Sequence, residues 1–251
     1  MKKFRLIVFA FFIFNASGAS ANSIVLAVPG AGYPPYIVVN GSKVTGIMPK
    51  ILSQAASKYG YDVQFKFIPE NRSLLLLKNK KIDARMESPA WVDNPSEFYW
   101  SEPVVVINDH FIFNNQAQNT FENDSQIVGA EIVTHLGYGY PTLQELFDEK
   151  IIVRKDYRTE IAMLDSLLRN EYNISRAAVM DRHVAMWLIR QHSRFKDKLA
   201  FSKRVVDSMP LHFQFAKTER LKVFVSQFNE YIDQIRKDGE MHEIIMDSLN
   251  Y

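Results

Sequence analysis

The sequence predicts an α/β protein of two lobes, each with a mixed, mostly parallel sheet flanked by helices. Short apolar strands alternate with amphipathic helices in the first part of the chain, and this order builds parallel sheets. The same alternation begins again near residue 126. An extended apolar stretch between the two runs, residues 104–113, predicts a connection that crosses from one lobe to the other.

The elements of the first lobe are predicted from turn signals and apolar periodicity. Asn40-Gly41 is a strong hairpin-turn signal, and Gly60 is a typical helix stop. The stretch from Asp62 to Pro69 alternates apolar with polar residues, as a half-buried strand does. The predicted elements are a strand over Ser23–Val28, a helix from near Gly46 to Gly60, a strand over Asp62–Pro69, a helix over Ser73–Lys78 and a strand over Ile82–Met86.

The second run is predicted in the same way, with Thr159 and Asp181 as helix N-caps. Its predicted elements are a strand over Gln126–Val133, a helix with Leu143, Leu146 and Phe147, a strand over Ile151–Val153, a helix over Thr159–Arg169, a strand over Ala177–Met180 and a helix after Asp181. The chain then ends in two helices, one from Thr218 to Asp238-Gly239 and one from about Glu240 to Leu249.

Residues 1–21 are predicted to be a cleaved secretory signal peptide. A basic start precedes an apolar run over residues 6–14, and Ala19-Ser20-Ala21 provides the small residues of a cleavage site. The apolar run is about half of the roughly 20 residues that a membrane-spanning helix needs. We therefore expect export to the periplasm.

The charge balance argues against an electrostatic partner. The whole chain has 30 basic and 28 acidic residues, and the leader removes Lys2, Lys3 and Arg5 but no acidic residue. A near-neutral chain gives no reason to expect binding to nucleic acid or to an anionic membrane. The chain has no cysteine, so disulfides do not hold it and a lipid-anchored form is excluded. We expect a soluble monomer.

Several short motifs occur in a specific order along nearly all of the chain after the leader. They are Tyr33-Pro-Pro-Tyr36, Val44-Thr-Gly-Ile-Met48, Leu77-Lys-Asn-Lys-Lys-Ile-Asp-Ala84, Tyr99-Trp-Ser-Glu-Pro103, Arg176-Ala-Ala-Val-Met-Asp181 and Asp238-Gly-Glu-Met-His-Glu-Ile244. In this order they resemble the motifs of the family 3 extracellular solute-binding proteins, whose best-known members bind polar amino acids for ABC importers.

The resemblance implies the type II periplasmic binding protein fold, in which the chain crosses twice between two lobes. The first crossing is then residues 104–113 and the return roughly residues 204–217. The first lobe comprises residues 22–108 and 214–251, and the second lobe comprises residues 109–213. A cleft between the lobes is expected to hold a small polar ligand, such as an amino acid, and an ABC permease or a membrane sensor is the expected partner.

The resemblance also implies which residues contact the ligand. Tyr33 occupies the turn from which the family stacks an aromatic ring on its ligand, whereas Tyr36 is expected in the core. Asp181 occupies the position of a carboxylate that binds the ligand's amino group, although an N-cap role is an equally open alternative. Gly137 and Tyr138 precede a helix, where backbone N–H groups are able to bind an anion.

Three further candidates follow the strand predicted around residue 84. Glu87 and Ser88 occupy the segment where the family presents small hydroxyl residues to its ligand, and Trp91 is expected to form a wall of the pocket. The family's arginine that binds the ligand's α-carboxylate is missing, because Asp93-Asn94-Pro95 occupies its region. Arg72 is our preferred replacement, whereas we expect Arg85 to form an ion pair with Glu87.

We expect binding rather than catalysis, with no cofactor and no metal. The six histidines show no metal-ligand spacing, and no nucleophile elbow or phosphate-binding loop is present in the sequence. Two alternatives remain open. One is a cyclohexadienyl dehydratase-like enzyme on the same fold, with Glu87 as the acid, and the other is a protein that presents its ligand to a membrane sensor.

Overall fold

The structure, a computed structural model, describes residues 22–169 and 174–249. The predicted signal peptide lies outside the described residues. Eleven strands are found in the described part of the chain: β1 Ser23–Val28, β2 Val38–Asn40, β3 Lys43–Thr45, β4 Asp62–Phe67, β5 Ala84–Glu87, β6 Tyr99–Trp100, β7 Val105–Asn114, β8 Glu131–His135, β9 Val153–Tyr157, β10 Arg176–Asp181 and β11 Leu199–Phe215.

The α-helices alternate with these strands along most of the chain, as the sequence predicts. They are α1 Ile47–Lys58, α2 Glu70–Lys78, α3 Asp124–Ile127, α4 Pro141–Asp148, α5 Glu160–Leu167, α6 Arg182–Gln191, α7 Glu219–Lys237 and α8 Glu240–Leu249. Within the described residues, no helix is both long and apolar enough to cross a membrane.

One sheet runs through the molecule in the order β4-β1-β5-β11-β7-β10-β8-β9, with β6 beside β11. Pairing is parallel between β4, β1 and β5 and between β10, β8 and β9, and antiparallel wherever β7 or β11 takes part. The strands β7 and β11 therefore join two α/β halves. The first half contains β4, β1 and β5, and the second half contains β10, β8 and β9.

The C-terminal helices return to the first half. Helix α7 packs against α1, α8 and β6, and its Phe224 and Phe228 pack on Phe215 of β11 with ring centroids 5.8 and 6.2 Å apart. Arg220 of α7 also donates to Asp83 at 2.5 Å, immediately before β5. The molecule thus has the mixed α/β architecture with two connecting strands that the sequence predicts.

Most elements confirm the sequence-based prediction, but two parts of the second half differ. The predicted strand from Gln126 is wrong at its start, because Asn123 caps the short helix α3 by accepting from the backbone N–H of Gln126; the strand β8 begins at Glu131. Strand β9 runs over Val153–Tyr157 and shares only Val153 with the strand predicted over Ile151–Val153. Every position of β9 is exposed or half-buried at the edge of the sheet, so this strand has no buried apolar face that a sequence pattern could indicate.

Candidate ligand-binding site

A cavity of the described structure has a volume of about 330 Å³. It lies where the two halves meet, and residues from both halves and from the connecting strands line it. Of the predicted site residues, the lining includes Tyr33, Trp91, Gly137, Tyr138 and Asp181. The structure therefore brings together five residues that are distant in the sequence.

Tyr33 enters the cavity from a tight turn after β1. The backbones of Tyr33 and Ile37 exchange two hydrogen bonds of 2.8 and 2.9 Å, and the Pro34-Pro35 peptide bond between them is cis. Gly32 has φ of +69°, and a Cβ there would lie 2.5 Å from the carbonyl oxygen of Ile37, so only glycine fits. The ring of Tyr33 stacks on that of Tyr36 with centroids 5.5 Å apart.

Tyr36 is fully buried, as the sequence predicts, and it joins the two halves. Its hydroxyl donates to Oδ1 of Asp181 at 2.9 Å and lies 3.2 Å from Nδ1 of His183. Burial, together with the charge of Asp181, raises the pKa of Tyr36 far above its ordinary value. The hydroxyl therefore stays protonated and able to donate.

Asp181 is the N-cap of α6, which was one of the two open roles. Its Oδ1 accepts from the backbone N–H of Val184 at 3.0 Å, and its Oδ2 accepts from the backbone N–H of Asn108 at 2.9 Å. Together with the bond from Tyr36, both carboxylate oxygens are occupied by the protein. Asp181 lines the cavity, but much of its hydrogen-bonding capacity is used before a ligand enters.

A second aspartate, Asp109, also lines the cavity and was not predicted. It lies on β7, directly opposite Asp181 of β10 and Asp207 of β11 in the antiparallel pairing. Within the described residues, no hydrogen-bond donor contacts its carboxylate. Burial raises the pKa of Asp109 to about 7, and the charges of Asp181 and Asp207 contribute. The only sequence signal was a polar Asn108-Asp109 pair within an apolar strand.

The loop from Gly137 to Tyr140 forms the wall contributed by the second half. Gly137 has φ of +88°, in the left-handed region that favours glycine. Tyr138 packs its ring 4.2 Å from that of His135, whose Nε2 lies 3.8 Å from Oε1 of Glu160. Burial and the charge of Glu160 raise the pKa of Tyr138 to about 12. His135 and Glu160 line the cavity too and were not predicted.

Glu87 and Ser88 are not among the residues that line the cavity. Glu87 pairs with Arg85 at 2.6 Å, and Arg85 also donates to Gln214 at 2.6 Å and to Ser73 at 3.1 Å. The ion pair expected for Arg85 is thus present. Ser88 is fully buried, and its hydroxyl has no hydrogen-bond partner among the described residues. The predicted ligand contacts of Glu87 and Ser88 stay predictions.

The two remaining candidates differ in position. Trp91 lines the cavity with 53% of its surface exposed, at the rim. Arg72 is exposed on α2 and is not one of the cavity-lining residues, whereas its neighbour Glu70 is. The carboxylate-binding role of Arg72 therefore stays a prediction, without support from the cavity's position.

The charged side chains that line the cavity are acidic. Four carboxylates line it, from Glu70, Asp109, Glu160 and Asp181, and the described lining contains no lysine or arginine. Methionines 86, 163 and 180 add flexible apolar surface. In the described part of the chain, no three His, Asp or Glu side chains are grouped so as to hold a metal ion.

Solved structures of similar fold cover nearly the whole chain. Substrate-binding domain 2 of Lactococcus lactis GlnP, in its open conformation, is 20% identical, with a TM-score of 0.70 over 92% of this chain and 97% of that chain. The ancestral amino acid-binding protein AncCDT-1, a precursor of cyclohexadienyl dehydratase, is 14% identical, with a TM-score of 0.66 over 91% and 96%. A histidine kinase sensor domain similar to periplasmic binding proteins is 18% identical, with a TM-score of 0.67 over 90% and 96%.

At these identities the similarities establish the fold alone, which is that of the type II periplasmic binding proteins. No curated protein matches the sequence. The family model of the bacterial extracellular solute-binding proteins, family 3, matches residues 24–247, and the chain belongs to that family.

Proposed function

We propose that this protein is a periplasmic solute-binding protein that captures a small polar ligand in the cavity between its two halves, for delivery to an ABC importer. The observation that carries the proposal is the cavity of about 330 Å³, lined by residues from both halves. A ligand there would contact both halves at once and favour their closure, which a membrane partner is able to recognise. Family membership supports the same role.

The lobes are taken as residues 22–108 with 214–251, and residues 109–213. These limits place the cavity at the lobe boundary, because Tyr33 belongs to one lobe and Tyr138 to the other. The strands β7 and β11 then contain the hinge. Residues 1–21 are taken as the leader, and the mass of the protein recovered from the periplasm tests this directly.

The binding function is tested on protein that has been unfolded, freed of ligand and refolded. We expect at least one compound in a panel of amino acids, amines, opines and small organic acids to raise the melting temperature. Tyr33→Ala should weaken that ligand by roughly tenfold, because it removes an aromatic wall. If no compound stabilises the protein, and no small molecule is released from protein purified without unfolding, the proposed function is wrong.

Delivery to an importer is distinguished from delivery to a sensor by transport. Deleting the gene should abolish uptake of the radiolabelled ligand if the partner is a permease. Unchanged uptake, with loss of a transcriptional response to the ligand, would favour the sensor.

A dehydratase with Glu87 as its acid is less well supported than a binding protein. Its acid, Glu87, is held by Arg85 and lies outside the cavity lining. The four carboxylates of the lining would also repel prephenate, which carries two carboxylates. We expect no phenylpyruvate to form when the protein is incubated with prephenate.

A further inference from the structure

We propose that the cavity selects an organic cation that carries an amine but no carboxylate. This inference rests on the proposed function, because it names the class of ligand for the same site. The proposed ligand differs from the α-amino acid expected from the family resemblance. Four observations support it: the negative charge of the lining, the lack of hydrogen-bond donors to Asp109, the acidic residues at the helix N-termini, and the aromatic and methionine side chains of the walls.

The charges of the lining are those of a cation site. An α-carboxylate in a protein cavity is normally held by an arginine, because the planar guanidinium matches it with two hydrogen bonds. Arg85 contacts Glu87, Gln214 and Ser73, and the described lining contains no guanidinium group. A ligand carboxylate would instead enter beside four protein carboxylates and lose its hydration without a counterion.

Three of those carboxylates also stabilise helix N-termini, so their presence alone is not sufficient evidence for a cation site. Glu70 and Glu160 are the first residues of α2 and α5, and Asp181 caps α6. Acidic residues in these positions stabilise helices through the positive N-terminal end of the helix dipole. The same arrangement neutralises the three helix ends that would otherwise attract a ligand's carboxylate.

Asp109 has no such structural role. It lies within a strand, caps no helix and accepts no hydrogen bond from the described residues, yet it lines the cavity between two neighbouring aspartates. Like charges directly opposite each other on adjacent strands destabilise a sheet. A bound ammonium group beside Asp109 would relieve this repulsion and provide the donors that its carboxylate lacks.

The walls of the cavity suit an alkyl or guanidino cation better than an inorganic ion. Aromatic rings from Tyr33, Tyr138 and Trp91 line it, and aromatic faces attract cations when water is excluded. The three methionines offer apolar surface to a methylene chain. A bare metal ion would leave most of a cavity of about 330 Å³ unfilled.

One helix beside the cavity has no acidic residue of its own at its N-terminal end, and it determines the design of the test. Helix α4 begins at Pro141 with no acidic residue in its first turn, directly after the Gly137–Tyr140 loop. An amino acid would place its carboxylate there and its ammonium group near Asp109. The decisive comparison is therefore between an amino acid and the amine that remains when its carboxylate is removed.

The experiment measures calorimetric affinities for lysine against cadaverine and for arginine against agmatine, on the ligand-free protein. In each pair that binds, we expect the amine to bind at least about tenfold tighter. A tighter-binding amino acid would overturn this inference and leave the proposed function intact. If neither pair binds, the tightest compound of the wider panel decides: an amine without a carboxylate supports the inference, and a carboxylate overturns it.

Two variants distinguish a direct contact between Asp109 and the ligand from the effect of the protein's net charge on affinity. Asp109→Asn should weaken the amine by about tenfold to a hundredfold, because it removes a charge-assisted hydrogen bond. Asp233→Asn, on the exposed surface of α7, removes the same charge and should change affinity less than about twofold. Equal effects of the two variants would overturn the role of Asp109.

The number of protons released on ligand binding provides a second test. If Asp109 had only a structural role, ligand binding would not change its ionisation. A cation beside Asp109 favours its ionised form, so binding at pH 7 should release up to about half a proton. Calorimetry in two buffers of different ionisation enthalpy measures this number. Proton uptake on binding by the wild-type protein would contradict a cationic ligand, and Asp109→Asn should abolish the release.

Discussion

Asp109 and Asp181 lie directly opposite each other in the antiparallel pair of β7 and β10. The backbone N–H of Asn108, next to Asp109, donates to Asp181, so one aspartate of the pair is stabilised by hydrogen bonds while the other is left without donors. Asp207 lies on the other side of Asp109, on β11. One oxygen of Asp207 accepts from Thr142 at 2.5 Å, and the other is buried without a partner among the described residues. A row of three acidic side chains thus runs across β10, β7 and β11.

The first prediction concerns the stability of the ligand-free protein. Because the folded state raises the pKa of Asp109 from 3.8 to about 7, the folded protein retains a proton that the unfolded chain releases between these values. The free energy of unfolding should therefore fall as the pH rises from about 4 to 7. Asp109→Asn should lose this part of the pH dependence and be more stable than wild type at pH 8, by on the order of 2 kcal/mol.

Urea denaturation of both proteins at pH 4.5 and pH 8 measures this difference. Other groups that influence Asp109, chiefly Asp181 and Asp207, are the same in both proteins, so the comparison isolates one carboxyl group. An equal stability difference at the two pH values would contradict the raised pKa.

The second prediction concerns the bridge from Tyr36 to Asp181. Tyr36→Phe removes the hydroxyl that joins the two halves at 2.9 Å but keeps the buried ring. We expect a loss of about 1–2 kcal/mol in the free energy of unfolding, together with a larger radius of gyration in the absence of ligand. Tyr61→Phe is the matched control, because its ring packs on Phe224 within the first half, 4.9 Å away. Similar changes in both variants would show that the bridge has no special role.

The fold was largely predictable from the sequence because its signals are local. The Asn40-Gly41 turn gives the hairpin of β2 and β3, and Thr159, Asp181 and Thr218 cap the helices that they precede. Such signals depend on a few neighbouring backbone groups. The exception around Gln126 has the same origin, since the cap by Asn123 overrides a short apolar stretch.

The site was predictable only in part, because its chemistry depends on strand register. Tyr33, Trp91, Gly137, Tyr138 and Asp181 could be selected from motif position, and the structure places all five at one cavity. The local sequence marks Asp109 only as part of a polar pair in an apolar strand, since its environment arises from residues 72 and 98 positions further along the chain, on β10 and β11. For Arg72 the sequence indicates a helix start near the cleft, but the direction of one side chain does not follow from motif position, so its ligand-binding role stays a prediction.

The third prediction concerns the buried pair of Arg85 and Glu87. Burial lowers the pKa of Arg85 and raises that of Glu87, so desolvation outweighs the attraction between them. Glu87→Leu should cost about 3–5 kcal/mol, because it leaves a buried guanidinium without its counterion. Adding Arg85→Met should recover much of that loss. Denaturant titrations of the two variants test this, and a double variant less stable than the single one would refute the reasoning.

The fourth prediction concerns Arg72. It is exposed on α2 and lies outside the lining, and a cationic ligand has no need of it. Arg72→Ala should therefore change the affinity for the amine less than about twofold, because an exposed charge is strongly screened. If Arg72 instead holds a ligand carboxylate, the same variant should weaken binding by about tenfold or more. Calorimetry on this single variant separates the two ligand classes.

The last prediction uses Trp91 as a reporter of ligand binding. Its indole lines the cavity but is 53% exposed, whereas Trp100 donates its ring N–H to the carbonyl of Pro95 at 2.8 Å and does not line the cavity. A ligand that draws the two halves together should cover Trp91 and remove water from it, which shifts its emission to shorter wavelength. Trp91→Phe should abolish the shift and weaken a cationic ligand about threefold, since phenylalanine keeps a ring but attracts cations less than indole does. The matched variant Trp100→Phe should retain the shift. A shift that survives in Trp91→Phe would mean that closure does not cover the cavity rim formed by this residue.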